Sequence, residues 1–195
     1  MVVMKSRVHP HRQLGVTLIE VLVTIVILAV GLLGIAGLQS RLQISELESY
    51  QRAQALILLN DMANRLATNR NAALDYVTTA GTALGAGMAC STIGSGSRQQ
   101  IDSTEWCDAL QGAGETLEDD SRVGALIGGR GCIEETPVGS GQFLLTVAWQ
   151  GLTPLTAPPA SVSCGANSYN GATGSVCVND VCRRVVTTIV RVATL

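Results

Sequence analysis

Val16 to Leu38 is apolar apart from Thr17, Glu20 and Thr24, and this run constrains everything that follows it. At 1.5 Å per residue a helix over these residues is roughly 34 Å long, enough to cross a hydrocarbon core of about 30 Å with some tilt. Lys5, Arg7 and Arg12 precede the run and no acid does. Basic residues on that flank place the N-terminus in the cytoplasm and the rest of the chain outside. One residue does not fit a plain span. Glu20 is a carboxylate inside the first turns, and a charge at mid-bilayer costs roughly 2.5–3.5 kcal/mol, though less near an interface. Such a group calls for a partner.

The composition beyond the span removes most enzyme classes. From Val16 onward there are ten arginines against fifteen acids, a balance of −5, with no lysine and no histidine. Both histidines, His9 and His11, lie before the span. Histidine base catalysis, histidine metal ligation and a phosphate-gripping lysine are therefore all missing. An acidic balance also carries no nucleic-acid footprint. No catalytic residue, metal ligand set or cofactor is expected.

Gln39 to Arg70 lacks Gly and Pro and is rich in helix formers, so the span is expected to continue as one helix of roughly 55 residues, about 80 Å long. Ala55, Leu56, Leu59, Met62, Ala63, Leu66 and Ala67 form its apolar stripe, with Arg52, Asn60, Asp61, Asn64 and Arg65 opposite. Gly31, Gly34 and Gly37 sit three apart late in the span, each costing about 1 kcal/mol of helix stability relative to Ala. They read either as close helix packing or as a place where the helix bends.

The Gly/Ala/Ser/Thr-rich stretch 78–100 reads as a long loop, and its GSGSR is no phosphate loop because no strand precedes it and no Lys follows. Asp102, Glu105, Trp106 and Leu110 predict a short helix capped at Asp102. Residues 111–130 read as a Gly-rich acidic connection. Strands are expected at Gly131–Glu135, Gln142–Gln150 and Arg183–Ala193, with VCVNDVC as a tight hairpin feeding the last. A long helix, a variable loop and antiparallel strands make an α+β head.

Six cysteines, at 90, 107, 132, 164, 177 and 182, all follow the span. An even number outside the cytoplasm points to disulfides, with fifteen full pairings open. A turn at Asn179-Asp180 would set Cys177 opposite Cys182, and this pair is expected. Cys90, Cys107, Cys132 and Cys164 staple the Gly-rich loop to the sheet in pairings left open.

Gly15-Val16-Thr17-Leu18-Ile19-Glu20, after a short basic leader and before an apolar helix, resembles the class III signal of type IV prepilins and pseudopilins. The resemblance implies cleavage after Gly15 by a prepilin peptidase and N-methylation of Val16, which stands where most members have Phe. The leader would be residues 1–15, or twelve residues counted from Met4. The span is then 16–38, the rest of the helix 39–77 and the disulfide-containing head 78–195. Glu20, fifth in the mature chain, would neutralise the N-terminal amine of a neighbouring subunit. Opposite charges attract strongly in a low dielectric where either alone is costly.

DMANRLATNR on the helix, Gly131-Cys132-Ile133, Val147-Ala148-Trp149-Gln150-Gly151 and Cys182-Arg183-Arg184-Val185 resemble the PilV class of minor pilins. That resemblance implies a pilin-like fold, an inner-membrane prepilin that enters the pilus fibre, and a part in pilus assembly, adhesion and twitching motility. The implied partners are prepilin peptidase, other minor pilins and the major pilin, the pilus assembly platform and a tip adhesin. A minor pseudopilin of type II secretion and a membrane-anchored extracytoplasmic binding domain are the alternative readings.

Overall fold

The computed structural model describes residues 15–78, 82–114, 122, 124 and 126–192. Most of the leader, and most of the acidic stretch 115–121 within the connection 111–130, lie outside the described residues. The elements run in the order α1 (Leu18–Thr68), a 3-10 segment (Arg70–Tyr76), β1 (Leu84–Gly85), a second 3-10 turn (Cys90–Ile93), α2 (Arg98–Leu110), β2 (Arg130–Glu135), β3 (Gln142–Gln150) and β4 (Arg183–Arg191). The four strands form one antiparallel sheet in sequential order β1-β2-β3-β4. The fold is α+β and pilin-like.

The chain divides into two compact units, residues 1–43 and 44–195. In the first, α1 is long and apolar enough to cross a membrane, and its most apolar stretch is not buried at all. Leu18 is 84% exposed, and Ile25, Leu28, Val30, Leu32 and Leu33 are also open. Contiguous apolar surface of this extent needs lipid or protein against it.

In the second unit, α1 buries Gln51, Ala55, Leu59, Met62 and Leu66. Leu56 and Ala67, expected on this stripe, are exposed. The buried face is the narrower i, i+4, i+7, i+11 set, with Leu58 at its margin. Inward-pointing Ile133, Phe143, Leu145, Val147, Trp149 and Val186 of the sheet meet it, together with Trp106 and Leu110 of α2. Strand alternation explains which sheet residues take part. The opposite face of the sheet carries a smaller cluster, in which Cys132, Ala148, Cys164 and Tyr169 are buried together.

Several local expectations are corrected. The stretch 78–100 is not all loop, since β1, a 3-10 turn and the first residues of α2 fall within it. Helix α2 starts at Arg98 and is capped by Ser97, whose side chain accepts from the Gln100 N–H while the Gln100 side chain accepts from the Ser97 N–H. This is a full capping box. Asp102 is therefore not a cap but an interior helical residue. Residues 176–182 form a turn without a strand ladder, with Asn179 and Asp180 at φ +53° and +62°. The last strand ends at Arg191, and β2 begins one residue early, at Arg130. The long helix stops at Thr68, before the 3-10 segment.

Candidate functional site

Helix α1 begins three residues after Gly15, and Thr17 organises that start. The Thr17 carbonyl accepts from the N–H groups of Glu20 and Val21 at 3.1 and 3.3 Å, and its hydroxyl oxygen accepts a long bond from the Glu20 N–H at 3.4 Å. Thr17-x-x-Glu20 has the composition of a capping box, a signal present in the sequence but not used in the reading above. Glu20 thus sits in the first turn, where the positive end of the helix dipole favours a carboxylate. Gly15, Val16 and Glu20 are all exposed. Gly31, Gly34 and Gly37 lie in unbroken α-helix, and a Cβ added at any of them would meet nothing within 4 Å. The helix therefore carries a clear row of open small positions.

The head is fixed by polar contacts as well as by its core. Arg65, which the sequence places on the outer face of α1, turns instead toward α2. It donates to Asp61 at 2.9 Å and to Asp102 at 3.0 Å, and also pairs with Glu105. Desolvation alone would lower the Arg65 pKa, but Glu105, Asp61 and Asp102 outweigh it and the net shift is upward. Asp102 is 1% exposed and also pairs with Arg98 at 2.9 Å and accepts from the Tyr76 hydroxyl at 2.6 Å. Burial, then the bond to Asp102, pushes the Tyr76 hydroxyl up to about 12.

Glu48 is a second anchor. One of its oxygens accepts from the N–H groups of Leu152 and Thr153 at 3.2 Å each, from the Thr153 hydroxyl at 3.0 Å and from Arg184 at 3.3 Å. Burial raises the Glu48 pKa, yet the Thr153 hydroxyl, Arg184 and the two N–H groups hold it below the ordinary value. The anchor ties α1 to the segment after β3 and to the start of β4.

The six cysteines form three disulfides, Cys90–Cys107, Cys132–Cys164 and Cys177–Cys182. The first joins the 3-10 turn to α2, the second fixes the segment after β3 to β2, and the third closes the turn before β4. With no free thiol, cysteine supplies neither a nucleophile nor a metal ligand. Among the described residues no group of three or more His, Cys, Asp or Glu is placed to hold a metal ion.

Residues 10–36 match the family model described as the prokaryotic N-terminal methylation motif. No curated protein and no solved structure matches the chain. The motif supports a type IV pilin- or pseudopilin-like protein, structural rather than catalytic in kind. It implies processing by a prepilin peptidase and incorporation with other pilins. The apolar helix that begins within it is consistent with a membrane-anchored pilin.

Proposed function

We propose that this chain is a minor type IV prepilin of the PilV class. It is inserted in the bacterial inner membrane with its head in the periplasm, cut after Gly15 and N-methylated on Val16. It then enters the pilus through α1, and its head meets other minor pilins in a complex near the tip that primes assembly for adhesion and twitching. Its own contribution is geometric, because the peptidase and the assembly platform supply the chemistry and the drive. In this reading Glu20 offers its carboxylate to the amine of a neighbouring subunit, and Gly31, Gly34 and Gly37 let α1 bend or pack closely during extrusion.

One observation carries the reading. The methylation motif, residues 10–36, takes in nearly all of the apolar span, that part of α1 is exposed and holds the span's only acid in its first turn, and α1 runs on to Thr68 ahead of a disulfide-closed head.

The test is the intact mass of the protein purified from native inner membranes. A mass beginning at Val16 with one added methyl group is expected. A chain that keeps its leader in a strain with active prepilin peptidase would overturn the reading. Glu20→Ala is expected to leave cleavage intact while the protein disappears from sheared pili.

A further inference from the structure

Among the described residues, every partly or fully buried arginine of the head has a carboxylate partner except one. Arg65 has Asp102, Arg183 meets Asp180 at 3.2 Å and Arg184 meets Glu48 at 3.3 Å. Arg130 has none, although it is well held. Its guanidinium lies 5.1 Å from the centre of the Tyr169 ring and donates to the Gly128 carbonyl at 3.2 Å. Glu134, four residues along the same outward face of β2, is also partly buried. It accepts a 2.6 Å bond from the Ser163 hydroxyl and has no cation. At about 3.3 Å per residue the two positions stand roughly 13 Å apart along the strand, too far to satisfy each other.

Between them is a cavity of about 560 Å³, floored by the Cys132–Cys164 disulfide and walled in part by the hydroxyl residues Thr78, Thr82 and Ser168. Partly desolvated charges are costly when unpaired, and here one of each sign is preorganised at opposite ends of one cavity. An extended peptide reproduces that spacing, because its residues i and i+4 lie on one face with the same rise as β2. The Thr78 hydroxyl is engaged by the Ile133 backbone, while those of Thr82 and Ser168 suit the N–H and C=O groups of such a chain. A sugar would look for an open aromatic face, and the Tyr169 ring is occupied by Arg130.

We propose that this cavity binds an extended peptide segment of a partner protein, with an acidic side chain on Arg130 and a basic one on Glu134. The inference does not depend on whether α1 enters a fibre.

The test uses the full chain in detergent micelles and fluorescein-labelled pentapeptides blocked at both ends, read by anisotropy. ESASK is expected to bind about tenfold more tightly than SSASS, about threefold from each of its two charged contacts. Arg130→Gln and, independently, Glu134→Gln are each expected to cut that preference to about threefold. Glu134→Gln changes only an outward strand position and keeps the inference testable if Arg130→Gln fails to fold. Equal binding of the two peptides, a tenfold preference left undiminished by both substitutions, or saturation by a trigalacturonate but not by ESASK would each overturn it.

Discussion

Arg65 of α1 donates to Asp102 of α2 across 3.0 Å, joining residues 37 apart in the chain. The pair is not isolated, since Asp61, Glu105, Arg98 and Tyr76 all contact one member or the other. It is one charged network, buried at Asp102 and open at its rim. Removing Asp102 strips the buried Tyr76 hydroxyl of its acceptor but leaves Arg65 with Asp61 and Glu105, so the cost falls at the low end of the roughly 3–5 kcal/mol of a buried pair broken outright. Asp102→Ala is expected to lower the stability of the head by about 3 kcal/mol, read as a shift of the urea midpoint. Glu105→Ala, at the exposed rim, is expected to cost less than about 1 kcal/mol.

The same network gives the head an alkaline limit. Tyr76 titrates near 10 when unfolded and near 12 when folded, so its neutral form stabilises the fold fully below pH 10 and that contribution is lost as pH rises from 10 to 12. The loss is on the order of 2 kcal/mol. Tyr76→Phe is expected to be less stable at pH 8 and to lose less between pH 10 and 12, as followed by thermal melting.

Glu48 acts at the other end of the scale. Its folded pKa is depressed, so the stability it contributes is present above the unfolded value of 4.5 and disappears as pH falls through the lower folded value. Glu48→Gln is expected to flatten that acid limb. Hydrogen exchange at the Leu152 and Thr153 amides should quicken at neutral pH, because both donate to this carboxylate. Unchanged exchange there would remove Glu48 as the anchor.

Gln51 shows the opposite imbalance. It is 5% exposed, and its amide oxygen is buried without a hydrogen-bond partner. An unmade bond at a buried acceptor costs about 1–3 kcal/mol. Gln51→Met keeps the length of the side chain and removes the orphan oxygen. It is expected to raise stability by about 1 kcal/mol in urea titration.

Gly131 should tolerate no side chain. A Cβ there would overlap the Trp106 indole and come within 2.8 Å of Leu110, both at the centre of the core. Gly131→Ala is expected to cost about 3 kcal/mol or to prevent expression of folded protein, against 1–3 kcal/mol for ordinary overpacking.

The long helix and the β3 strand were legible because each rests on local physics. Helix formers without Gly or Pro carry α1 through the head, and a nearly continuous apolar run from Phe143 to Trp149, buried on both faces, marks β3. What eluded the sequence depends on distant partners. Leu56 has the right helical spacing for the stripe, yet no described element covers that angle of α1. Arg65 looks like a solvated residue until α2 brings Asp102 to it. Asp102 resembles a cap by its residue type, but Ser97 with Gln100 competes for the same role and wins because both halves of the box form. Arg130 reads as the last residue of the Gly-rich connection and Glu134 as an unremarkable charge on a short strand. Only the Cys132–Cys164 bridge, which draws residues 163–168 over β2, turns them into the ends of a cavity.

The disulfides join the first cysteine to the second, the third to the fourth and the fifth to the sixth, with no loop enclosing or crossing another. A head threaded through a membrane N-terminus first presents its cysteines in that order. Each thiol can then be oxidised with the next one to emerge, and no bond made on the way has to be broken later. On the proposed topology, such a head can mature during translocation without an isomerase.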